Sequence, residues 1–585
     1  MREALMRKDL MRRGTKFQLR DDFGSADEVL HACIRDDDVP QLGRLIRASP
    51  APDSNYSHPG FGPPLHFAAL CGNLDAVDLL LASGADALIV SYGEQRLTAI
   101  GFAAFKGHRD IVKRLWTCCS LESHIEGLKP YQTCFVVAAR HGHASIVEDM
   151  LDWWNGWSQV LRIEALLWAA RRWHFSVVTL LLKRASFEQP TLQEALHAAS
   201  NHKFMLSYEF DTKYEGIDYL DPQLLIASLI DAGADPNSCP DNTPLIFTVA
   251  YNANLTGALK TLLEKGADPN KTDGSGKSAL HVLAEPVMIG QLAGGPDLLN
   301  ETAIRLLLQH KASVSQPDTA GECPRHRAAY GFDLRLFRIY LYAHSGRDRD
   351  TLLHLTNHNG ETLLHFAAAG CRIEVMEYLL SQGLDVNATS SNGWTPLMCA
   401  LTPINRNAVR GTEIKTLAEA MRAAYHHLLS HGADPSIMTN EGWTPLHVLA
   451  LHCDLDVTGK AAELAKHLIS RGVDPEARAP LLSPGNREVV PSLGMPWGYR
   501  LRDMMADPSA QRMVIRHDLM PLHWAAERGA VGVIRALLAN GVNVSSMDVG
   551  GISPARMAAE SKFLERRTGL VDSIIDLLVG AGAGC

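Results

Sequence analysis

A short phrase that returns at a near-constant interval constrains this chain more than any other feature. Thr395-Pro396-Leu397 follows Asn392-Gly393-Trp394, Thr444-Pro445-Leu446-His447 follows Glu441-Gly442-Trp443, and Pro521-Leu522-His523-Trp524-Ala525-Ala526 opens a late copy. Aligned on the Thr position, copies start at 28, 63, 98, 133, 164, 193, 243, 278, 323, 362, 395, 444, 520 and 553, and spacings of 33 or 35 recur. Several copies carry a Gly-Ala-Asp turn, as at Gly84-Ala85-Asp86, Gly233-Ala234-Asp235, Gly266-Ala267-Asp268 and Gly432-Ala433-Asp434. Such a period marks an array whose units cannot bury their apolar faces alone and must stack on neighbours.

The residue types have local causes. Thr or Ser accepts a bond from an unpaired N–H of a helix's first turn. Proline in the next position is preset to helical φ and lacks a donor that would have had no partner. The Ala-Ala pair keeps one helix face narrow, and glycine after it (Gly107, Gly142, Gly529) suits a left-handed cap. A second helix then carries leucines, as in Leu79-Leu80-Leu81, before the Gly-Ala-Asp turn.

At these residues the chain resembles the ankyrin-repeat family along nearly its whole length. The resemblance implies an all-α fold: an ankyrin-repeat solenoid of stacked helix pairs with short β-hairpin loops. On that reading residues 1–27 form a basic N-terminal arm, and the solenoid runs from 28 to 585. The resemblance also implies that His31, His66, His281, His326, His365, His447 and His523, in the repeat's His slot, tie neighbouring hairpins together.

Four stretches exceed the repeat. Insertions near 203–220, 285–300 and 402–417 are expected between the two helices of a unit, and one near 477–518 enlarges a hairpin. The first is aromatic and acidic; the last holds Pro480, Pro484, Pro491 and Pro496 with Trp497 and Tyr499. Long loops on a regular scaffold are either functional or disordered.

The family resemblance implies that the two residues after Ala-Ala face the concave groove. In successive units these read Phe105-Lys106, Arg140-His141 and Arg171-Arg172, so cations gather on one inner surface of a chain whose net charge is −9. Arginine engages carboxylates and phosphates through two parallel bonds, which makes Lys106, Arg140, His141, Arg171 and Arg172 candidates for contact with an anionic partner. Trp153, Trp154 and Trp157 cluster in a degenerate second helix and turn, where they either repack a junction or anchor a partner. Trp394 and Trp443 precede the Thr of consecutive units and are candidates of the same kind. Trp168 stands in the slot of Phe67, Phe102 and Phe366, which predicts a core side chain.

No catalytic motif emerges. Gly274-Ser275-Gly276-Lys277-Ser278 resembles the end of a phosphate-binding loop, but Lys271 stands where that loop needs glycine, and a hairpin tip is expected. His427 and His431 lie four apart, yet no third ligand is evident in the sequence, so neither metal nor cofactor is expected. The 11 cysteines show no Cys-x-x-Cys spacing, which fits reduced thiols in a cytoplasmic or nuclear setting. No apolar run approaches the roughly 18 residues that span a bilayer. The modest net charge gives no reason to expect nucleic acid. The expected function is a scaffold or adaptor that binds one or more proteins, including an acidic segment, through groove and hairpin tips. The alternative is an enzyme or small-ligand receptor on the same solenoid, with inserted loops roofing the Arg-lined groove.

Overall fold

The computed structural model describes residues 29–49, 51–57, 62–91, 97–118, 130–200, 222–239, 242–250, 255–284, 296–343, 352–401, 414–451, 459–484, 513–561, 564 and 568–582. Fourteen helix pairs follow one another through these residues, and the chain divides into two compact units, Met1–Asp268 and Pro269–Cys585. The protein is therefore all-α in its framework. The loops at 203–220 and 485–512 lie outside the described residues.

In the first unit, first helices such as Pro64–Cys71, Ala99–Lys106, Pro130–Arg140 and Gln159–Arg171 pack side by side. Close approach is possible because Ala68-Ala69, Ala103-Ala104, Ala138-Ala139 and Ala169-Ala170 are fully buried at the contacts. Second helices, including Leu74–Ala82, Arg109–Trp116, Ala144–Trp153 and Phe175–Arg184, form the other layer. Val77, Leu80, Ile111, Val112, Val147, Val177 and Leu181 point from them into the seam and are inaccessible or nearly so.

Glycine is required at the end of these first helices for more than its backbone. Gly107 and Gly142 adopt φ of 82° and 81°. A Cβ on Gly107 would lie 2.5 Å from the His143 ring, and one on Gly142 would lie 2.5 Å from the His174 ring. Each ring thus covers the cap of the preceding unit and bonds its carbonyl: His108 Nε2 to Leu70 (3.2 Å), His143 Nε2 to Phe105 (3.2 Å), His174 Nε2 to Arg140 (2.9 Å). In the fifth pair Trp173 occupies the glycine place, with φ 59°, and its indole N–H donates to the Ala199 carbonyl at 2.7 Å.

In the second unit the hairpin tips form a ladder. Asp273, Asp318, Asn357 and Ser390 each accept, through the side chain, from backbone N–H groups two and four residues on. The glycine three residues after each, Gly276, Gly321, Gly360 and Gly393, has positive φ. Successive tips are joined by Thr319 N–H to Ser275 O, His358 N–H to Ala320 O, Ser391 N–H to Asn359 O and Asn440 N–H to Asn392 O, at 2.7–3.1 Å. The phosphate-loop lookalike is the first rung, and Ser278 caps the helix Ala279–Leu283.

The His slot works between hairpin and helix. In His281, His365 and His447, Nδ1 accepts from the capping residue's backbone N–H, so Nε2 carries the proton and donates to the next hairpin's carbonyl at 2.8–3.2 Å. Before the pair at 520, strands β1 (Ala479–Pro484) and β2 (Met513–Leu519) run antiparallel. Residues 296–300 and 414–417, at the ends of two expected insertions, are helical.

Candidate functional site

The cationic positions of the first unit form a connected cluster rather than isolated surface charges. Arg140 lies over the Trp168 indole with its guanidinium carbon 4.2 Å from the ring centroid, and Arg171 approaches the same ring at 5.1 Å. Trp168 is half-buried, as is Phe102 in the equivalent slot, whereas Phe67 and Phe366 are 4% and 1% exposed. The slot thus leaves part of the ring accessible, and at Trp168 two guanidiniums take it as a platform.

His141 follows Arg140 and is buried. Its ring meets Phe105 edge-on at 4.4 Å, and burial pushes its pKa down to about 2, with Arg172 and Arg140 adding to the shift. Lys106 is half-buried, 5.6 Å from the Phe105 centroid, and burial lowers its pKa too. Lys106 and His141 thus meet at Phe105, Arg140 and Arg171 meet at Trp168, and the charges of Arg140 and Arg172 act on His141. Placing cations in this partly dry setting favours an anion that would share their field.

The tryptophans divide differently. Trp157 is 4% exposed, stacks on Phe135 at 4.3 Å and donates Nε1–H to the Met150 carbonyl at 3.0 Å. Trp154 meets it edge-on at 4.8 Å, and Trp153 packs at 5.3 Å on Trp116. Trp116 was not part of the sequence cluster, since it ends the preceding second helix. Trp153 and Trp154 remain half-buried. In the second unit Trp394 and Trp443 are 3% and 6% exposed, and the Trp443 indole donates to the Pro480 carbonyl while packing edge-on against Trp524. Trp157, Trp394 and Trp443 consequently offer a partner almost no surface as the structure stands.

Three family models match the chain: ankyrin repeats in three copies over residues 325–410, ankyrin repeats in many copies over 65–115, and the single ankyrin repeat over 441–480 and 517–549. The chain is an ankyrin-repeat protein. Among similar curated proteins is a probable E3 ubiquitin-protein ligase, XBOS33, of Oryza sativa subsp. japonica, 38% identical over 91 residues that cover 16% of this chain and 17% of the relative. SH3 and multiple ankyrin repeat domains protein 2 of Homo sapiens is 26% identical over 226 residues, 37% of this chain and 10% of that protein. Human ankyrin repeat and SOCS box protein 14 is 31% identical over 93 residues, 16% of this chain and 15% of the relative. The matches thus span less than a fifth of each of these relatives.

Two features of this ankyrin-repeat protein lie beyond what spacing alone showed. The rings of His108, His143 and His174 were invisible as a set until their stacking on glycine caps was seen, although the Gly-His pairs at 107–108 and 142–143 are a sequence signal. Glu377, on helix Ile373–Ser381, comes beside His427 and His431 at the end of helix Ile414–Ser430. That third side chain belongs to a different repeat and no local spacing points to it. Among the described residues no helix is long and apolar enough to cross a membrane.

Proposed function

We propose that the protein is an interaction scaffold whose groove between residues 98 and 172 receives an acidic segment of a partner protein. The observation that carries this reading is the pair Arg140 and Arg171 on one half-buried Trp168 ring, with Arg172, His141 and Lys106 beside it. The ring holds both guanidiniums in place, so less side-chain entropy is lost when they bind a carboxylate. An overall charge of −9 repels acidic molecules elsewhere, which gives a local cationic cluster selectivity as well as attraction. Ankyrin repeats are a protein-interaction fold, and the helix-pair framework here supports that role. The eight cysteines Cys33, Cys71, Cys118, Cys134, Cys239, Cys323, Cys371 and Cys399 stand as thiols outside disulfides, which suits a reducing cytoplasmic or nuclear setting.

The test uses the full chain with Arg140→Glu and Arg171→Glu. Two lost charge-assisted contacts, at about 1.5–3 kcal/mol each, should weaken capture of an acidic partner by about 100-fold or more. Melting should shift much less than capture, because each half-buried ring contact contributes about 0.5–2 kcal/mol. Unchanged capture of every partner by the folded variant rejects the groove as the binding surface.

A further inference from the structure

The second helices of two adjacent repeats bring three ligand-type side chains to one point. Glu377 stands on Ile373–Ser381, His427 in the last turn of Ile414–Ser430, and His431 just past that helix's end. We propose that Glu377, His427 and His431 form a binding site for a divalent transition-metal ion, zinc foremost, that clamps the two repeats together.

The geometry is that of a ligand set. His427 Nε2 lies 3.2 Å from Glu377 Oε2, His431 Nε2 lies 3.5 Å from the same oxygen, and ligand atoms of all three fall within 4.8 Å of one another. A tetrahedral zinc ion with bonds of about 2.0–2.1 Å holds its ligands roughly 3.3 Å apart, so small side-chain adjustments admit the ion. The spacing of four residues places the two imidazoles on one helix face, with ring centroids 4.5 Å apart.

Two further observations point to a ligand rather than to a simple surface pair. His431 Nδ1–H donates to the His427 carbonyl at 2.9 Å, which fixes the tautomer and leaves the Nε2 lone pair facing Glu377. His427 Nε2 is buried yet makes no hydrogen bond, so a ligand-type atom is held facing Glu377 and His431 without a hydrogen-bond partner of its own. The backbone around His431 is already anchored to the preceding repeat, since Asn387 donates to Gly432 O at 3.1 Å and accepts from Asp434 N–H at 2.8 Å. That anchoring pre-organises the site. Imidazole nitrogens with one carboxylate suit zinc better than calcium or magnesium, which take oxygen ligands. A water would complete the fourth position.

Zinc itself is the probe. The full chain, stripped with a chelator and kept reduced, is titrated with zinc by calorimetry beside His427→Gln/His431→Gln and Glu377→Gln. The double variant should take up one zinc ion fewer than the wild type, and Glu377→Gln should bind that ion about tenfold or more weakly. The wild type's melting temperature should rise with zinc, and the double variant should lose the part of that rise due to this site. Equal uptake and affinity in wild type and variants overturns the site, as does a wild type that takes up no zinc. Where the double variant melts lower without metal, His431→Gln alone, at a side chain 33% exposed, makes the same comparison.

Discussion

Arg327 and Glu322 meet at 2.5 Å with side chains only 8% and 2% exposed, in the copy that reads Pro324-Arg325-His326-Arg327. Removing one member of a buried pair leaves the other charge in a dry setting, and such breaks cost about 3–5 kcal/mol. Arg327→Ala should therefore lower unfolding stability by about that amount in urea titration, and a loss below about 1 kcal/mol would show the pair to be solvated. The repeat phrase gave no warning of this site. Where Arg325 stands, other copies have Leu65, Leu280, Leu364, Leu446 and Leu522, and arginine is accepted because the Tyr340 carbonyl, from the second helix, receives its Nε–H at 3.2 Å. Burial of a charge depends on partners brought from other elements, and spacing within one copy cannot reveal them. The same limit applies in part to Trp168: Arg171 lies three residues on along the same helix, but Arg140 comes from the preceding repeat.

At the scale of elements, the aligned phrase points to fourteen units and fourteen helix pairs are present, but at Thr133, Glu164 and Gln193 the aligned position lies inside the longer helices Pro130–Arg140, Gln159–Arg171 and Gln189–Ser200 rather than at a cap. The hairpin ladder was less legible, although Asp, Asn or Ser followed three residues later by glycine marks each rung. The His slot gives this framework a pH dependence with a definite sign. Burial lowers the pKa of His66, His281, His326, His365, His447 and His523 to about 4, against about 6.5 for a free imidazole. The folded state thus favours neutral rings, so their contribution is fully present above pH about 6.5 and is lost as pH falls toward 4. Melting temperature should be level above neutrality and fall steeply between about 6.5 and 4. Replacement of His365 by Gln should flatten part of that fall in melts recorded across the range. A variant as acid-sensitive as the wild type would show that carboxylates elsewhere govern the loss.

At the scale of the whole molecule, a regular array accounts for the architecture, and the cation cluster and the Glu377, His427 and His431 group are departures from it. The basic cluster at units 98–164 was legible as residue types at groove positions. Its anchoring on one indole was not, and neither was the withdrawal of Trp157, Trp394 and Trp443 into the core. The zinc clamp at Glu377, His427 and His431 is placed far along the chain from the cation cluster, so stability and partner binding can be varied separately. Hydrogen–deuterium exchange of the full chain with and without a captured acidic partner tests the groove most directly. Added protection is expected at the C-terminal ends of Ala99–Lys106, Pro130–Arg140 and Gln159–Arg171, and it should vanish with Arg140→Glu/Arg171→Glu. Protection confined to hairpin tips or second helices, and unaffected by those substitutions, would contradict a binding site in the groove.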